Sequence, residues 1–335
     1  MSKPITTEVL PERLTEHRAV QAWSRLDPER ISPDGIEILK LRNKSAVYRL
    51  AGVGPDGSSV IAKKCRSETA SVERILYEEF LPQVALPALR CHGMVEEPGG
   101  EFCWLFLECA GGQEFSTSNR DHRALAARWL ATVHQAAADS DLESRLPGRE
   151  PGHYLDRLRR TRETLVRHLC NAELRPDDRL VLRTLATRCD ALEAHWTELV
   201  EMCAQAPRTL VHGDLATKNV RVRATEAGLA LLIFDWECAG WGVPATDFAQ
   251  FTGRTISPDL AIYCAETKGT YPRLDLPGAR RLADCGKFFR LLDDISWAAS
   301  FLVFDSYLFL EKPMSYLKSY EPRLAKAQEA IGWAQ

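Results

Sequence analysis

Between residues 210 and 237 the chain reads Leu-Val-His-Gly-Asp-Leu-Ala-Thr-Lys-Asn-Val and, one hairpin later, Leu-Leu-Ile-Phe-Asp-Trp-Glu. Carboxylates and carboxamides are the oxygen donors that hard cations take, and a carboxylate beside such an ion can receive a proton. Asp214 and Asn219 sit on the polar loop, and Asp235 closes the second apolar run. The segment between them has the pattern of a β-hairpin: Val220 and Val222 alternate with Arg221 and Arg223, Thr225 to Gly228 turns, and Leu229 to Phe234 returns. Antiparallel partners lie roughly 5 Å apart at the Cα level. The hairpin therefore brings the Asn219 amide oxygen and the Asp235 carboxylate together as a site for a hard cation. Asp214, five residues before Asn219, is then placed near the same ion without binding it, where a general base can act.

The pattern His212-x-Asp214-x-x-x-x-Asn219 followed by Ile-Phe-Asp235-Trp-Glu resembles the catalytic and metal-binding motifs of the aminoglycoside phosphotransferase and choline kinase family. That family consists of small-molecule kinases built on the protein-kinase-like fold. The resemblance implies Asp214 as the catalytic base, Asn219 and Asp235 as the ligands of Mg²⁺, and ATP as the phosphoryl donor. His212 is then a brace for the loop, and Lys218 either reaches the transferring group or lies in solvent.

An N-terminal lobe must supply the nucleotide site. Residues 8–25 have the pattern of a lead-in helix ended by Asp27-Pro28. Residues 36–41, 47–50 and 60–64 read as three strands joined by tight connections, an antiparallel meander. A helix over 71–81 follows, bounded by Pro82 and Pro87, and then two strands at 89–93 and 102–108. Five strands and one helix in that order match the N-lobe of the resembled fold. Gly52-Val-Gly54-Pro-Asp-Gly57 reads G-x-G-x-x-G, but it opens no helix and lies only six residues before Lys63. Pro55-Asp-Gly57 is turn chemistry, so this stretch is predicted to join two strands.

The resemblance carries further residues. Its phosphate lysine falls on Lys63 or Lys64; strand alternation lets only one face the cleft, and the family pattern favours Lys63. Its helix partner falls on Glu73 in preference to Glu78 or Glu79. The phosphate-facing turn falls on Asn43-Lys44-Ser45-Ala46, with Ser45 among the nucleotide contacts. The hinge falls on the end of Phe102-Cys-Trp-Leu-Phe-Leu-Glu-Cys-Ala-Gly-Gly, with adenine read by the Glu108 carbonyl and the Ala110 N–H.

The second half is helical in pattern: 123–138, ending near His134, then 154–175, 176–204 and 282–309. Asp247 is expected to support the catalytic loop from behind. The 282–309 stretch mixes Phe288, Phe289, Trp297, Phe301, Phe304 and Tyr307 with Asp293, Asp294 and Asp305. Such a mixture can bind a cationic or amphiphilic acceptor, or it can be a core helix pair with an acidic edge.

Composition excludes other classes. A net charge of −3 gives no basic excess for nucleic acid or a membrane surface. No apolar run reaches the length of a membrane span, and the N-terminus lacks a signal-peptide core, so the expected location is cytoplasmic. The ten cysteines show no C-x-x-C pair, as small buried hydrophobes do and zinc or disulfide frameworks do not. The expectation is an α+β, bilobal protein-kinase-like fold. Residues 1–110 form a nucleotide-binding N-lobe with a five-stranded antiparallel sheet plus helix, and 111–335 a mainly helical C-lobe with the catalytic hairpin. The expected activity is ATP- and Mg²⁺-dependent phosphoryl transfer to a hydroxyl of a small molecule, an antibiotic or other secondary metabolite, by a monomer or homodimer. A choline-, sugar- or amino-alcohol-type kinase is the alternative. A pseudokinase would lack the base or a metal ligand, and Asp214, Asn219 and Asp235 are all present.

Overall fold

A computed structural model describes residues 11–26, 32–42, 45–226, 228–251 and 254–333. In chain order the first elements are α1 (Arg18–Leu26), β1 (Gly35–Arg42), β2 (Ser45–Ala51), β3 (Val60–Arg66), α2 (Ser67–Arg74), β4 (Cys91–Glu96), β5 (Phe102–Glu108) and β6 (Gln113–Glu114). There follow α3 (Arg120–Ala138), α4 (Leu142–Arg145), β7 (Gly148–Arg149), α5 (Pro151–Arg167), α6 (Pro176–Ala194), α7 (Trp196–Cys203), β8 (Thr209–Val211), β9 (Val220–Thr225) and β10 (Gly228–Ile233). The chain ends with β11 (Gly240–Gly242), α8 (Ala245–Phe248), α9 (Leu260–Glu266), α10 (Leu276–Ala299) and α11 (Tyr307–Ala330). The chain divides into two compact units, Met1–Phe115 with Lys218–Cys238, and Ser116–Thr217 with Ala239–Gln335. Among the described residues no helix is long and apolar enough to cross a membrane.

The first unit is built on a five-stranded antiparallel sheet in the order β1-β2-β3-β5-β4. Alternation puts Ile36, Tyr48, Leu50, Val60, Ala62, Trp104 and Phe106 into one core with Val20, Ala22 and Trp23 of α1. The Gly52–Gly57 stretch joins β2 to β3 and opens no helix; Gly52 and Gly57 take φ of 77° and 73°, conformations open to glycine at little cost. The lead-in helix is a 3₁₀ turn, Pro11–Glu16, followed by α1, and residues 8–10 lie outside the described residues.

Several boundaries differ from the expectation, and two of the starts have a visible cause. The helix expected at 71 begins at Ser67, because Ser67 N donates to the Glu101 carbonyl at 3.0 Å and its Oγ to the Gly100 carbonyl at 2.5 Å. These anchors come from the β4–β5 turn and leave no trace in the apolar periodicity. The helix then widens into a π-turn over Ile75–Phe80. β4 starts at Cys91, two residues later than expected, after an exchange in which Glu108 N donates to the Arg90 carbonyl and Arg90 N to the Glu108 carboxylate. The β9–β10 hairpin, register Val220 opposite Ile233, completes this unit with β6 beside β9.

The second unit is mainly helical, with a small sheet in the order β7-β11-β8. α10 is its axis: Leu282, Phe288, Phe289, Leu292 and Ile295 are buried, and the Phe289 ring stacks on Tyr154 at 4.1 Å. Gly286 lets α10 touch α8, since a Cβ there would lie 1.8 Å from the Ala245 carbonyl oxygen. The expected continuous helix over 282–309 is corrected. α10 stops at Ala299, where Ser300 Oγ donates to the Trp297 carbonyl at 2.7 Å, and α11 starts at Tyr307. The intervening turn is held by Asn171, whose Nδ2 donates to the carbonyls of Leu302 and Phe304 at 3.1 and 2.9 Å. The helix expected over 154–175 likewise ends at Arg167.

Candidate functional site

In the first unit β3 presents Lys63 and Lys64 to opposite sides. Lys63 is 5% exposed, and its Nζ lies 3.0 Å from Glu73 Oε2, 2.5 Å from Asp235 Oδ1 and 3.4 Å from Glu237 Oε2. Lys64 instead pairs with Glu97 at 2.7 Å and lies over the Phe102 ring. Glu73 is fully buried on α2 and also accepts from Trp236 N at 3.1 Å, so one carboxylate fixes both the lysine and the chain just after Asp235. Asp235, two residues past the end of β10, takes φ of 70°, a left-handed conformation that Asp tolerates better than most residues and that recurs at functional sites. Burial opposes the charge on Lys63, but Glu73, Asp235 and Glu237 outweigh it and raise its proton affinity well above the ordinary lysine value. Burial also pushes the Glu73 carboxyl up, against the pull of Lys63. For Asp235 the pull of Lys63 overcomes burial and lowers its pKa. One ammonium thus faces three carboxylates.

Asn219 is brought to the same end of the hairpin: it is buried, and its carbonyl accepts from Phe234 N at 3.1 Å. A cavity of about 450 Å³ opens on these groups, lined by Lys63, Glu73, Asn219 and Asp235, by apolar Leu39, Val47, Ile61, Leu89, Leu107 and Phe234, and by the 108–110 segment. Lys40, Arg42, Arg49, Lys218 and Arg221 add five further cations. Glu108 and Ala110 both border this cavity; the Glu108 side chain is tied to Arg223 at 2.7 Å. Ser45 is not brought there. It borders a separate recess with Leu41, Lys64 and Trp104, and Arg42 borders both. Asn43 and Lys44 lie outside the described residues.

The second unit carries Asp214 on the loop after β8. Asp247, buried beneath the loop, accepts from His212 N at 2.7 Å and Gly213 N at 3.0 Å. Burial pushes its carboxyl up to about 6 despite these two donors. His212 is buried, and its Nδ1 accepts from Asp214 N at 3.3 Å, which braces the turn. Arg290 of α10 places Nη2 2.6 Å from Asp214 Oδ1 and donates from Nη1 to the Gly213 carbonyl at 2.7 Å. Burial disfavours the Arg290 charge, and Asp214, Asp294 and Asp293 outweigh it. The loop continues into Thr217, whose N donates to the Arg254 carbonyl at 3.1 Å. His134 is a packed histidine, 2.8 Å from the Tyr263 hydroxyl.

Sequence reasoning gave no role to Arg290, Glu237 or the cavity cations Lys40, Arg49 and Arg221. Glu237 stands two residues after Asp235 and could have been found by the same hairpin argument. Arg290 leaves a fainter signal, a single cation inside the apolar run Phe288-Phe-Arg-Leu-Leu292.

Residues 45–283 match the phosphotransferase enzyme family. No curated protein matches the chain by sequence. Among solved structures, the GDP complex of wild-type aminoglycoside 2'-phosphotransferase-IIIa superposes with a TM-score of 0.61 at 14% identity, over 90% of this chain and 97% of that one. Choline kinase from Cryptosporidium parvum Iowa II gives 0.55 at 13% identity, over 89% and 91%. The streptomycin–ATP ternary complex of APH(2")-IIa gives 0.54 at 14% identity, over 89% and 95%. At these identities the likeness is one of fold, the protein-kinase-like fold of small-molecule kinases.

Proposed function

The chain belongs to the phosphotransferase enzyme family, and from that premise we propose that it transfers the γ-phosphoryl group of ATP, with Mg²⁺, to a hydroxyl of a small molecule, an antibiotic or other secondary metabolite. The observation that carries this reading is the grouping of Lys63, Glu73, Asn219 and Asp235 in one cavity of the first unit with apolar walls and five further cations. Apolar walls suit a purine, and main-chain groups at Glu108 and Ala110 suit its edge. The cations suit a triphosphate. GDP, ATP and streptomycin are the molecules held by the similar structures, which supports a nucleotide donor and a hydroxyl-bearing acceptor.

The donor set also fits Mg²⁺. That ion is held by one or two carboxylates plus substrate phosphates and water rather than by a full protein cage. Asn219 and Asp235 supply two protein oxygens, and among the described residues no cluster of three or more His, Cys, Asp or Glu could hold a metal. Asp235 and Glu237 bring two carboxylates to the single ammonium of Lys63, which leaves acidic oxygens there for a divalent ion to meet. When bound, it neutralises charge on the phosphate oxygens.

The chain's own groups do the rest by positioning and charge. Lys63, fixed by Glu73, holds the phosphates. Asp214 orients the acceptor hydroxyl and receives its proton while that oxygen forms a bond to the γ-phosphorus. The bond from that phosphorus to the β–γ bridging oxygen breaks, ADP leaves, and the proton passes on to solvent. The test is Mg²⁺-dependent ATP consumption by the wild type and Asp214→Ala across a panel of hydroxyl compounds that includes kanamycin, streptomycin and choline. A loss of about a hundredfold or more in the variant is expected. Nucleotide binding with no transfer to any acceptor would sink the catalytic reading.

A further inference from the structure

β1 carries one residue more than its partner strand. In the β1–β2 ladder Ile38 lies opposite Tyr48 and the next pair is Lys40 opposite Val47, so Leu39 is an inserted residue, a β-bulge. Cross-strand partners share a face of the sheet. Before the bulge the even positions of β1 face inward: Ile36 lies opposite Leu50 and Ile38 opposite Tyr48, and all four pack in the core shared with α1. Beyond it the parity is reversed. Lys40 joins Val47 on the face of the cavity that holds Lys63, while Leu41 and Ala46 border the recess on the opposite face. The sequence carries the same break, with apolar residues at Ile36 and Ile38 and then at Leu39 and Leu41. Regular alternation would have aimed Lys40 into the apolar core, where an unpaired ammonium is costly.

Lys40 enters the cavity without a carboxylate of its own. It is half-buried and, among the described residues, makes no hydrogen bond or ion pair. The carboxylates nearby are engaged with other cations of the first unit. Glu73, Asp235 and Glu237 gather on Lys63, Glu37 pairs with Arg49, and Glu108 pairs with Arg223. Arg221 donates from Nη1 to the carbonyls of Lys218 and Val220 at 3.3 and 2.8 Å and lies over the Phe234 ring. Arg42 and Lys218 complete the charged lining. With the pairing residues counted, seven cations meet five carboxylates, so the surplus is positive and an anionic ligand can balance it. Against burial, Asp235 is held charged by Lys63 first and then by Lys40 and Lys218, which sets Lys40 toward the end of the cavity where Asp235 stands.

The turn after β1, Asn43-Lys44-Ser45-Ala46, contains no glycine, and Ser45 borders the opposite recess. Glycine-rich turns hold phosphate through main-chain N–H groups brought close to it. We propose that Lys40 is a second phosphate lysine beside Lys63: its ammonium binds the polyphosphate chain of the nucleotide donor, and the Leu39 bulge is the device that turns it into the cavity. This rests on the reading of that cavity as the donor site. A side-chain cation here does the work that main-chain amides do in a glycine-rich turn.

The test is calorimetric binding of ATP, with Mg²⁺ present, to the full chain and to Lys40→Met and Lys40→Arg, with adenosine followed by its displacement of ATP. Methionine keeps most of the side-chain length and removes the charge, and the melting temperature checks folding. Lys40→Met is expected to weaken ATP binding about tenfold or more, as loss of a charge-assisted hydrogen bond does, with adenosine affinity unchanged. The loss should persist at high ionic strength, where a cation acting only from a distance is screened. Lys40→Arg should keep most of the affinity. Equal ATP affinity in Lys40→Met and the wild type, an equal fall for adenosine, or a loss that vanishes in salt overturns the proposal. So does a fall in Lys40→Arg as large as in Lys40→Met, since the effect would then lie in packing at the bulge. A wild-type chain that binds no ATP overturns it together with the donor-site reading. Lys40-dependent ATP binding without transfer to any acceptor upholds it and counts against the phosphotransferase reading alone.

Discussion

Arg290 grips both the carboxylate of Asp214 and the main chain just before it, with Nη2 2.6 Å from Oδ1 and Nη1 2.7 Å from the Gly213 carbonyl. A forked guanidinium can do this and a lysine cannot, because two donors with fixed spacing set an orientation as well as a charge. With Asp247 holding the His212 and Gly213 amides from the other side, the loop has little freedom to turn its aspartate.

If Asp214 works by orienting a hydroxyl, loss of this grip must appear in turnover before it appears in binding. Arg290→Ala is expected to lower the turnover number by about a hundredfold, the size of effect that small misplacement produces. The KM for ATP should change little, since the cavity proposed for the nucleotide is lined by other residues. Arg290→Lys should recover part of the loss by restoring charge without the fork. Steady-state kinetics on the three proteins decide it. A raised KM with unchanged turnover would show that Arg290 serves binding instead.

The two adjacent lysines of β3 separate a site residue from a neighbour. Lys63→Met leaves Glu73, Asp235 and Glu237 without their shared cation, and breaking a buried pair in this way costs about 3–5 kcal/mol. It is also expected to abolish ATP-dependent turnover. Lys64→Met loses a partly exposed pair with Glu97, a change on the order of 1 kcal/mol, and should leave ATP affinity near that of the wild type. Urea unfolding and nucleotide titration of both variants provide the measurement. Equal losses of affinity would mean that the alternation of β3 does not sort the two side chains by role.

The contrast between Lys63 and Arg290 shows what could be read from sequence. Strand period 2 puts consecutive lysines on opposite sides, and the hairpin register aligns Asn219 with the end of the returning strand. Those relations are local, or set by one ladder, and so was the antiparallel meander of β1, β2 and β3. Arg290 acts on a loop 76 residues earlier in the chain, through a helix-to-loop contact that no period encodes. The same holds for the early start of α2, fixed by two carbonyls of a distant turn, and for the break after Ala299, fixed by Ser300 and Asn171. In the reverse case, Ser45 was placed among the nucleotide contacts by its position between two strands, yet its side chain borders the recess of Lys64 and Trp104.

His134 sets an acid limit on stability. Fully buried on α3 against Tyr263 and Phe248, it has its pKa pushed down to about 3 by burial, from an ordinary value near 6.5. The folded state therefore keeps the ring neutral while the unfolded chain takes up a proton below pH 6.5. Its contribution is fully present above that pH and is lost progressively as pH falls toward 3. At about 1.4 kcal/mol per unit, the loss between pH 7 and pH 5 amounts to roughly 2 kcal/mol. His153, also held low by burial first and then by Arg149 and Arg157, acts in the same direction with a pKa of about 4. His134→Asn cannot be protonated, so its unfolding midpoint in urea should fall less between pH 7 and pH 5 than that of the wild type, with the slope due to His153 remaining. Parallel pH profiles for the two proteins would mean that His134 takes up its proton in the folded state and that the buried ring is not held neutral.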